Sequence, residues 1–252
     1  MDMRIAVAGG TGRLGQHIVD VLTASGHDAV PLSRATGVDV VTGEGVAAGV
    51  SGADVLIDAA TGPSPVKEEA AAFFRAAVAN LRQAAVEAGV RRVVVVSIIG
   101  VDRLTTGYGA AKLEQERAWL DGPVPVRILR SDLFHEFVEP MMGWGRQGDV
   151  VHLARSVRQP VAARAAAETA AEFALAADAP SLLEVAGPRV EDVVDLAALV
   201  LAHRGDPARV EGVSDPGDPD AVLYEKGEIL PGPDAVIAGP SFADWLSSEA
   251  GR

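Results

Sequence analysis

The sequence predicts an α/β fold, a doubly wound parallel sheet with helices on both faces, and three observations predict it. Short apolar, β-rich runs alternate with alanine-rich stretches of helical period along most of the chain. Most of those runs are hydrophobic at nearly every position, as in parallel strands covered on both faces. A glycine-rich turn, GGTGRLG at 9–15, directly follows the first run and opens the first helical stretch.

Each element has its own signal. The expected strands are 4–9 (RIAVAG), 28–33 (DAVPLS), 54–59 (DVLIDA), 91–97 (RRVVVVS), 124–130 (VPVRILR) and 182–186 (LLEVA). Helix 13–25 carries Leu14, Ile18, Val21 and Leu22 on one face and stops before Gly26, where a C-cap glycine belongs. The long helix 66–88 stops before Gly89 in the same way, and further helices are expected at about 168–178 and 192–203. Beyond residue 140 the texture changes. Residues 205–240 are rich in Gly, Pro and Asp, which predicts irregular loops. The expectation is a single Rossmann-like domain over 1–252, in which about 140–252 forms a small C-terminal lobe covering the substrate side.

Bulk composition excludes several classes of function. With 22 basic against 35 acidic residues the formal net charge is −13, so the chain lacks the basic surface that nucleic acid or an anionic membrane requires. Cysteine is absent, which removes disulfides, thiolate nucleophiles and cysteine metal sites. No cluster has metal-ligand spacing. The first residues, MDMRIAVAGG, carry no secretory signature, and the longest apolar run is too short to cross a bilayer. A cytoplasmic monomer or homodimer acting on a small molecule is the expectation.

The glycine turn is a candidate dinucleotide site. Gly9, Gly12 and Gly15, with Thr11, Arg13 and Leu14 between them, sit where a strand hands over to a helix N-terminus. Glycine at 12 keeps a side chain out of the pyrophosphate's path, and glycine at 15 lets the helix approach the sheet. The helix then offers free N–H groups and a positive dipole end to phosphate. An NAD site would place an acidic residue at the end of the second strand. Here that end carries Ser33 and Arg34, a hydroxyl and a guanidinium suited to a ribose 2′-phosphate. Arg13 is expected to clamp the same phosphate from the other side. The cofactor expected is NADP(H).

GGTGRLG, DAATG (58–62), VVSIIGVDR (95–103), YGAAK (108–112) and LRSDLFHEF (129–137) together resemble the short-chain dehydrogenase/reductase superfamily, and within it the atypical NmrA-like NAD(P)H-binding branch. The likeness runs along most of the chain, since ILPGPDAVIAGPSFADWL (229–246) also resembles the end of members of that group. The resemblance implies that Asp39 and Val40 flank the adenine. It implies that Ala59, Ala60 and Thr61 line the path to the nicotinamide ribose. It also implies that Ser131, Leu133, Phe134 and His135 form the wall near the nicotinamide and substrate, with Ile98 alongside. Ser97 matches the superfamily's hydroxyl position, and Tyr108 and Lys112 match its Tyr-x-x-x-Lys pair.

The chemistry of that pair follows from its spacing as well. Tyr108 and Lys112, at i and i+4, share a helix face. An ammonium beside a phenol lowers the phenol's pKa, and the same lysine can bond the ribose hydroxyls. With two tyrosines and three lysines in the chain, a pair at this spacing arises by chance only ~0.02 times. The leading expectation is an NADPH-dependent reductase of a carbonyl, enone or quinone-like molecule, with Tyr108 as proton donor and Ser97 holding the substrate oxygen. Thr105 or Thr106 could replace Ser97 in that role. The alternatives are an NADP(H)-binding sensor without turnover, and an epimerase or isomerase that retains its cofactor. His135 either meets the substrate or packs as a cap, and Phe134, Phe137 and Trp144 form either a pocket wall or core filler.

Overall fold

The computed structural model describes residues 2–249. The chain runs β1 (Arg4–Ala8), α1 (Gly15–Ala24), β2 (Asp28–Leu32), α2 (Val46–Val50), β3 (Val55–Asp58), α3 (Lys67–Glu87), β4 (Arg92–Ile98), α4 (Gly107–Leu120) and β5 (Val126–Ser131). It continues through α5 (Val138–Gly145), β6 (Arg146–Gln147), β7 (Val150–Ala154), β8 (Val157–Arg158), α6 (Ala163–Leu175) and β9 (Leu182–Ala186). The remaining elements are β10 (Glu191–Asp192), α7 (Val193–Arg204), β11 (Arg209–Val213), α8 (Ala221–Glu225), β12 (Val236–Ile237) and α9 (Phe242–Glu249).

Seven strands form one parallel sheet in the order β2-β1-β3-β4-β5-β9-β12. All six expected strands are present, and β12 adds a seventh at the edge. The sequence order reverses at β1, because the chain lays β2 on one side of it and then crosses over to lay β3 on the other. Such a switch point opens a crevice beyond the carboxyl ends of the two strands, where ligands of open α/β sheets bind.

The apolar runs are explained by burial on two faces. Ile5, Val7, Val55, Ile57, Val94 and Val96 pack against α1 and α6. Their neighbours Ala6, Ala8, Leu56, Val93 and Val95 face the other layer, where Val78 and Leu81 of α3 and Trp119 of α4 cover them. Alternate residues of each strand thus enter different cores, so nearly every position is apolar, Asp58 and Ser97 near the carboxyl ends excepted. Helix α6 packs through Ala166, Ala167, Ala170 and Ala174, whose small side chains let it lie close to the sheet. It begins at Ala163, about five residues before the stretch expected from the sequence. No side chain caps its N-terminus in the usual way, and the Glu136 carboxylate accepts from the Ala163 N–H instead.

Residues 138–249 also build structure off the main sheet. Strands β6, β7 and β11 form a second, three-stranded sheet. Val138, Met142, Val151, Leu153, Leu196 and Phe242 make a third apolar cluster there. The 205–240 segment, expected to be irregular throughout, contributes β11 and α8. No helix among the described residues is long and apolar enough to cross a membrane.

Candidate functional site

The carboxyl end of β1 turns at Gly9, whose φ of 74° lies in the left-handed region. A Cβ on Gly9 would lie 2.7 Å from the Ala59 carbonyl oxygen, so the turn is packed directly on the segment that leaves β3. At Gly15 a Cβ would lie 2.0 Å from the Gly9 carbonyl oxygen, which is why α1 can start only with glycine there. Gly12 differs. Its Cβ would meet a single atom within 4 Å, the Gly9 carbonyl oxygen at 3.1 Å, a tight contact on one side only, and the residue is exposed. Thr11, Gly12 and Arg13 are exposed while the Leu14 side chain is buried in the core below. No side chain caps α1, and the Gln16 N–H donates to the Gly12 carbonyl. The Arg13, Leu14 and Gly15 N–H groups have no partner among the described residues and remain available to an anion.

Beyond β2, the Ser33 hydroxyl oxygen is buried without a hydrogen-bond partner among the described residues, and Arg34 beside it is exposed. An orphaned donor next to a solvated guanidinium fits a bound phosphate. Asp39 and Val40 form a tight turn, with Asp39 Oδ1 accepting from the Val41 and Thr42 N–H groups. Asn80 of α3 donates to the Val40 and Val41 carbonyls and pins that turn. This side of the crevice therefore has a donor set and a side-chain-free cradle that suit a dinucleotide.

Arg13 departs from expectation. Its Nη1 donates to the Glu136 carbonyl at 2.9 Å and its guanidinium lies over the Phe137 ring, 5.9 Å from the centroid. It thus spans to the segment after β5 rather than pairing with Ser33 and Arg34. Phe137 in turn meets Trp144 edge-on, and Trp144 is largely exposed, so this pair is not core filler.

Past β3 the segment Ala59-Ala60-Thr61 runs alongside the glycine turn. The Thr61 hydroxyl lies 2.9 Å from the Tyr108 hydroxyl, and the Tyr108 ring packs edge-on against Phe74. A short path of contacts, from Gly9 to Ala59 and from Thr61 to Tyr108, therefore sets the phenol at the switch-point crevice.

Lys112 is oriented differently from the sequence expectation. Its ammonium is buried, donates to the Val96 carbonyl and to Gln115 Oε1, and lies over the Phe74 ring. It makes no hydrogen bond to Tyr108. Burial, the larger effect, consequently raises the Tyr108 pKa, and the bond to Thr61 only partly offsets it. The fold does not set the Lys112 ammonium against the phenol.

Below Lys112 lies a network that the sequence did not single out. Asp58, fully buried at the end of β3, accepts from Gln115 Nε2 and Trp119 Nε1, both at 2.8 Å, and from the Ala60 N–H. Gln115 thus bridges the Asp58 carboxylate and the Lys112 ammonium. An acidic residue ending an otherwise apolar strand was the only signal available for it.

Burial draws the Lys112 pKa from 10.5 down to about 8, with Asp58 and Glu116 opposing the shift. The folded pKa is below the unfolded one, so between these values the unfolded chain holds the extra proton and stability rises with pH. Below about pH 8 both states are protonated and the full penalty, about 3 kcal/mol, is present. The raised Tyr108 pKa acts in the opposite direction, but only above the ordinary tyrosine range of about 10. Urea unfolding between roughly pH 8 and 10 is therefore expected to show stability climbing in the native chain and a flatter profile in Lys112→Met. Parallel profiles would show that the ammonium is not so buried.

The remaining expected residues divide into two groups. Ser97 is buried near the end of β4 with its hydroxyl unpartnered, and Ile98 follows it, half-buried. Ser131 is buried opposite Ile98 in the β4–β5 register, its hydroxyl donating to the Asp132 carbonyl. Phe134 is half-buried against the α1–α6 core. His135 lies elsewhere. It is 1% exposed, its ring packs on Phe242 and Trp245, its Nε2 contacts the Pro240 carbonyl, and burial lowers its pKa. Thr105 and Thr106 are not free to replace Ser97, because both hydroxyls donate to Asp220 and that of Thr106 also reaches Asp218. No group of three or more metal-ligating residues occurs among the described residues.

No protein-family model and no curated protein sequence matches the chain. Solved structures do. The Escherichia coli NADPH-dependent quinone oxidoreductase QOR2, complexed with NADPH, is similar over 97% of this chain and 99% of its own, at 18% identity and a TM-score of 0.69. MoeE5 in complex with UDP-glucose and NAD is similar over 98% and 97%, at 18% identity and 0.73. The Bordetella bronchiseptica enzyme WbmG in complex with NAD is similar over 100% and 94%, at 18% identity and 0.70. Over its whole length, then, the chain has the Rossmann-like fold of structures that hold NADPH or NAD, the fold that its resemblance to short-chain dehydrogenases/reductases implied.

Proposed function

We propose that the protein is an NADP(H)-dependent oxidoreductase of the NmrA-like, short-chain-dehydrogenase type that reduces a carbonyl, enone or quinone-like small molecule. The observation that carries this reading is the Tyr108 hydroxyl, bonded to Thr61 beside the glycine turn at the β1/β3 switch point. Solved structures of the same fold include a quinone oxidoreductase with NADPH, which supports the reading.

The glycine turn and the open N-terminus of α1 would hold the pyrophosphate, and Ser33 and Arg34 the 2′-phosphate. Bound there, the nicotinamide would supply hydride to the substrate carbon. Tyr108 delivers its phenolic proton to the substrate oxygen, turning a carbonyl into an alcohol, while the Thr61 hydroxyl donates to the phenolate left behind. A raised pKa suits this direction, since the phenol stays protonated at neutral pH. The reverse reaction needs the phenolate and is expected to speed up as pH rises. The buried Lys112, tied by Gln115 to Asp58, contributes positive charge beneath the site.

Arg34→Ala tests the cofactor assignment. Removing one charge-assisted contact is expected to weaken NADPH by about 10- to 100-fold and leave NADH nearly unchanged, by fluorescence titration. Equal losses would refute the 2′-phosphate reading. Oxidation of NADPH across aldehydes, ketones, enones and quinones separates the enzyme from a sensor that binds without turnover.

A further inference from the structure

A cleft of about 220 Å³ lies between the segment after β5 and the second sheet, and of the residues expected at the cofactor or substrate site only Leu133 lines it. Its walls are mostly apolar, with Leu133, Met141, Val193, Val213 and Ala221 among them. Into this apolar space projects Arg158, whose side chain is only 11% exposed. The buried Asp132 carboxylate holds Arg158 by Nε at 2.7 Å, and the guanidinium lies over the Tyr224 ring. Asp132 is itself locked, since it accepts from the Leu133 and Gln159 N–H groups. The terminal nitrogens of Arg158 have no acceptor among the described residues. An arginine oriented from behind, with both terminal nitrogens unpaired and open to the cleft, is built to receive a planar anion.

The rim limits the charge of that anion. Asp215, Asp218 and Glu225 line the cleft against Arg155 and Arg158, so a multiply charged group meets more acid than base. Asp218 also bonds the Thr106 hydroxyl, two residues before Tyr108, which sets the cleft against the start of the proton donor's helix.

We propose that this cleft binds a monocarboxylate with an apolar body, its carboxylate paired with the terminal nitrogens of Arg158. That the bound acid is also the molecule reduced rests on the reading of Tyr108 given above; that the cleft binds it does not.

Calorimetry on the intact protein with 3-phenylpropanoate, its neutral amide and 2-phenylethyl phosphate tests the proposal. The carboxylate is expected to bind about tenfold or more tighter than the amide, the worth of a desolvated charge-assisted pair. It is also expected to outbind the phosphate. Arg158→Gln should bring acid and amide to equal affinity. That variant strips the partner from a buried carboxylate, so Ala221→Phe provides an arm independent of its folding. The added ring should fill the cleft while leaving both Arg158 and Asp132 in the chain, and should abolish binding of acid and amide alike. Equal binding of acid and amide to the native chain, tighter binding of the phosphate, or full binding by the Ala221→Phe variant would each overturn the proposal. A parallel NADPH titration of the native protein separates the two readings. Acid binding without NADPH binding would uphold the cleft and refute the oxidoreductase, and NADPH binding without acid binding would refute the cleft alone.

Discussion

Replacing Tyr108 by phenylalanine is expected to lower reductase turnover by about 10²- to 10⁴-fold, the usual contribution of a positioned proton donor. Affinity for NADPH should stay unchanged, because the residues assigned to the phosphates lie in the glycine turn and after β2. Stability should fall by no more than about 1 kcal/mol. The phenylalanine ring keeps the edge contact with Phe74, and the exposed Thr61 hydroxyl can turn to water once its partner is gone. The native enzyme's reduction rate should be level with pH through neutrality, since burial raises the Tyr108 pKa, and fall only beyond the tyrosine range. Undiminished turnover in Tyr108→Phe would remove the tyrosine from the chemistry.

Gly15→Ala should have the largest effect on the fold near the site. Its Cβ would lie 2.0 Å from the Gly9 carbonyl oxygen and 2.9 Å from Gly10 Cα, and both are backbone. Neither can swing aside as a side chain would, so the turn or the whole of α1 must move. A loss of several kcal/mol by urea unfolding is expected, with NADPH binding lost alongside. Gly12→Ala is the informative contrast. Its Cβ has one close neighbour, the Gly9 carbonyl oxygen at 3.1 Å, which need yield only a few tenths of an ångström, so the loss of stability should be much smaller than for Gly15→Ala. If the open face at Gly12 receives the pyrophosphate, the added methyl should still weaken NADPH markedly. An alanine at 12 that left affinity intact would place the phosphates elsewhere.

The parts of the fold written in the sequence are those governed by local patterns. Of the six principal strands, β1, β3 and β4 show themselves most plainly, because nearly every residue enters one of two cores. Strands β2, β5 and β9 carry exposed or charged positions among their apolar ones. The seventh does not show itself, since β12 is two residues long within a Gly/Pro-rich stretch. The second sheet was hidden for a similar reason: β6 has two residues, and the partners of β7 lie on both sides of it in sequence. At the site, the glycine turn and the Tyr108–Lys112 spacing were legible, whereas side-chain directions were not. Arg13 reaches a carbonyl 123 residues away. Thr105 and Thr106 are taken by Asp220, 115 and 114 residues away. Lys112 turns toward Val96 and Gln115, because a buried carboxylate at the end of β3 organises the space beneath it. Contacts at such separations follow from topology, which no short window of sequence contains.

The most direct test of the account is the stoichiometry of NADPH oxidation. NADPH-loaded protein is mixed with representative aldehydes, ketones, enones and quinones, and both cofactor and product are quantified. The account predicts that for at least one class a molecule of NADPH is consumed for each molecule reduced, with the rate collapsing in Tyr108→Phe. Tight NADPH binding with no oxidation across the panel would contradict it, and would leave a nucleotide-binding protein that does no chemistry.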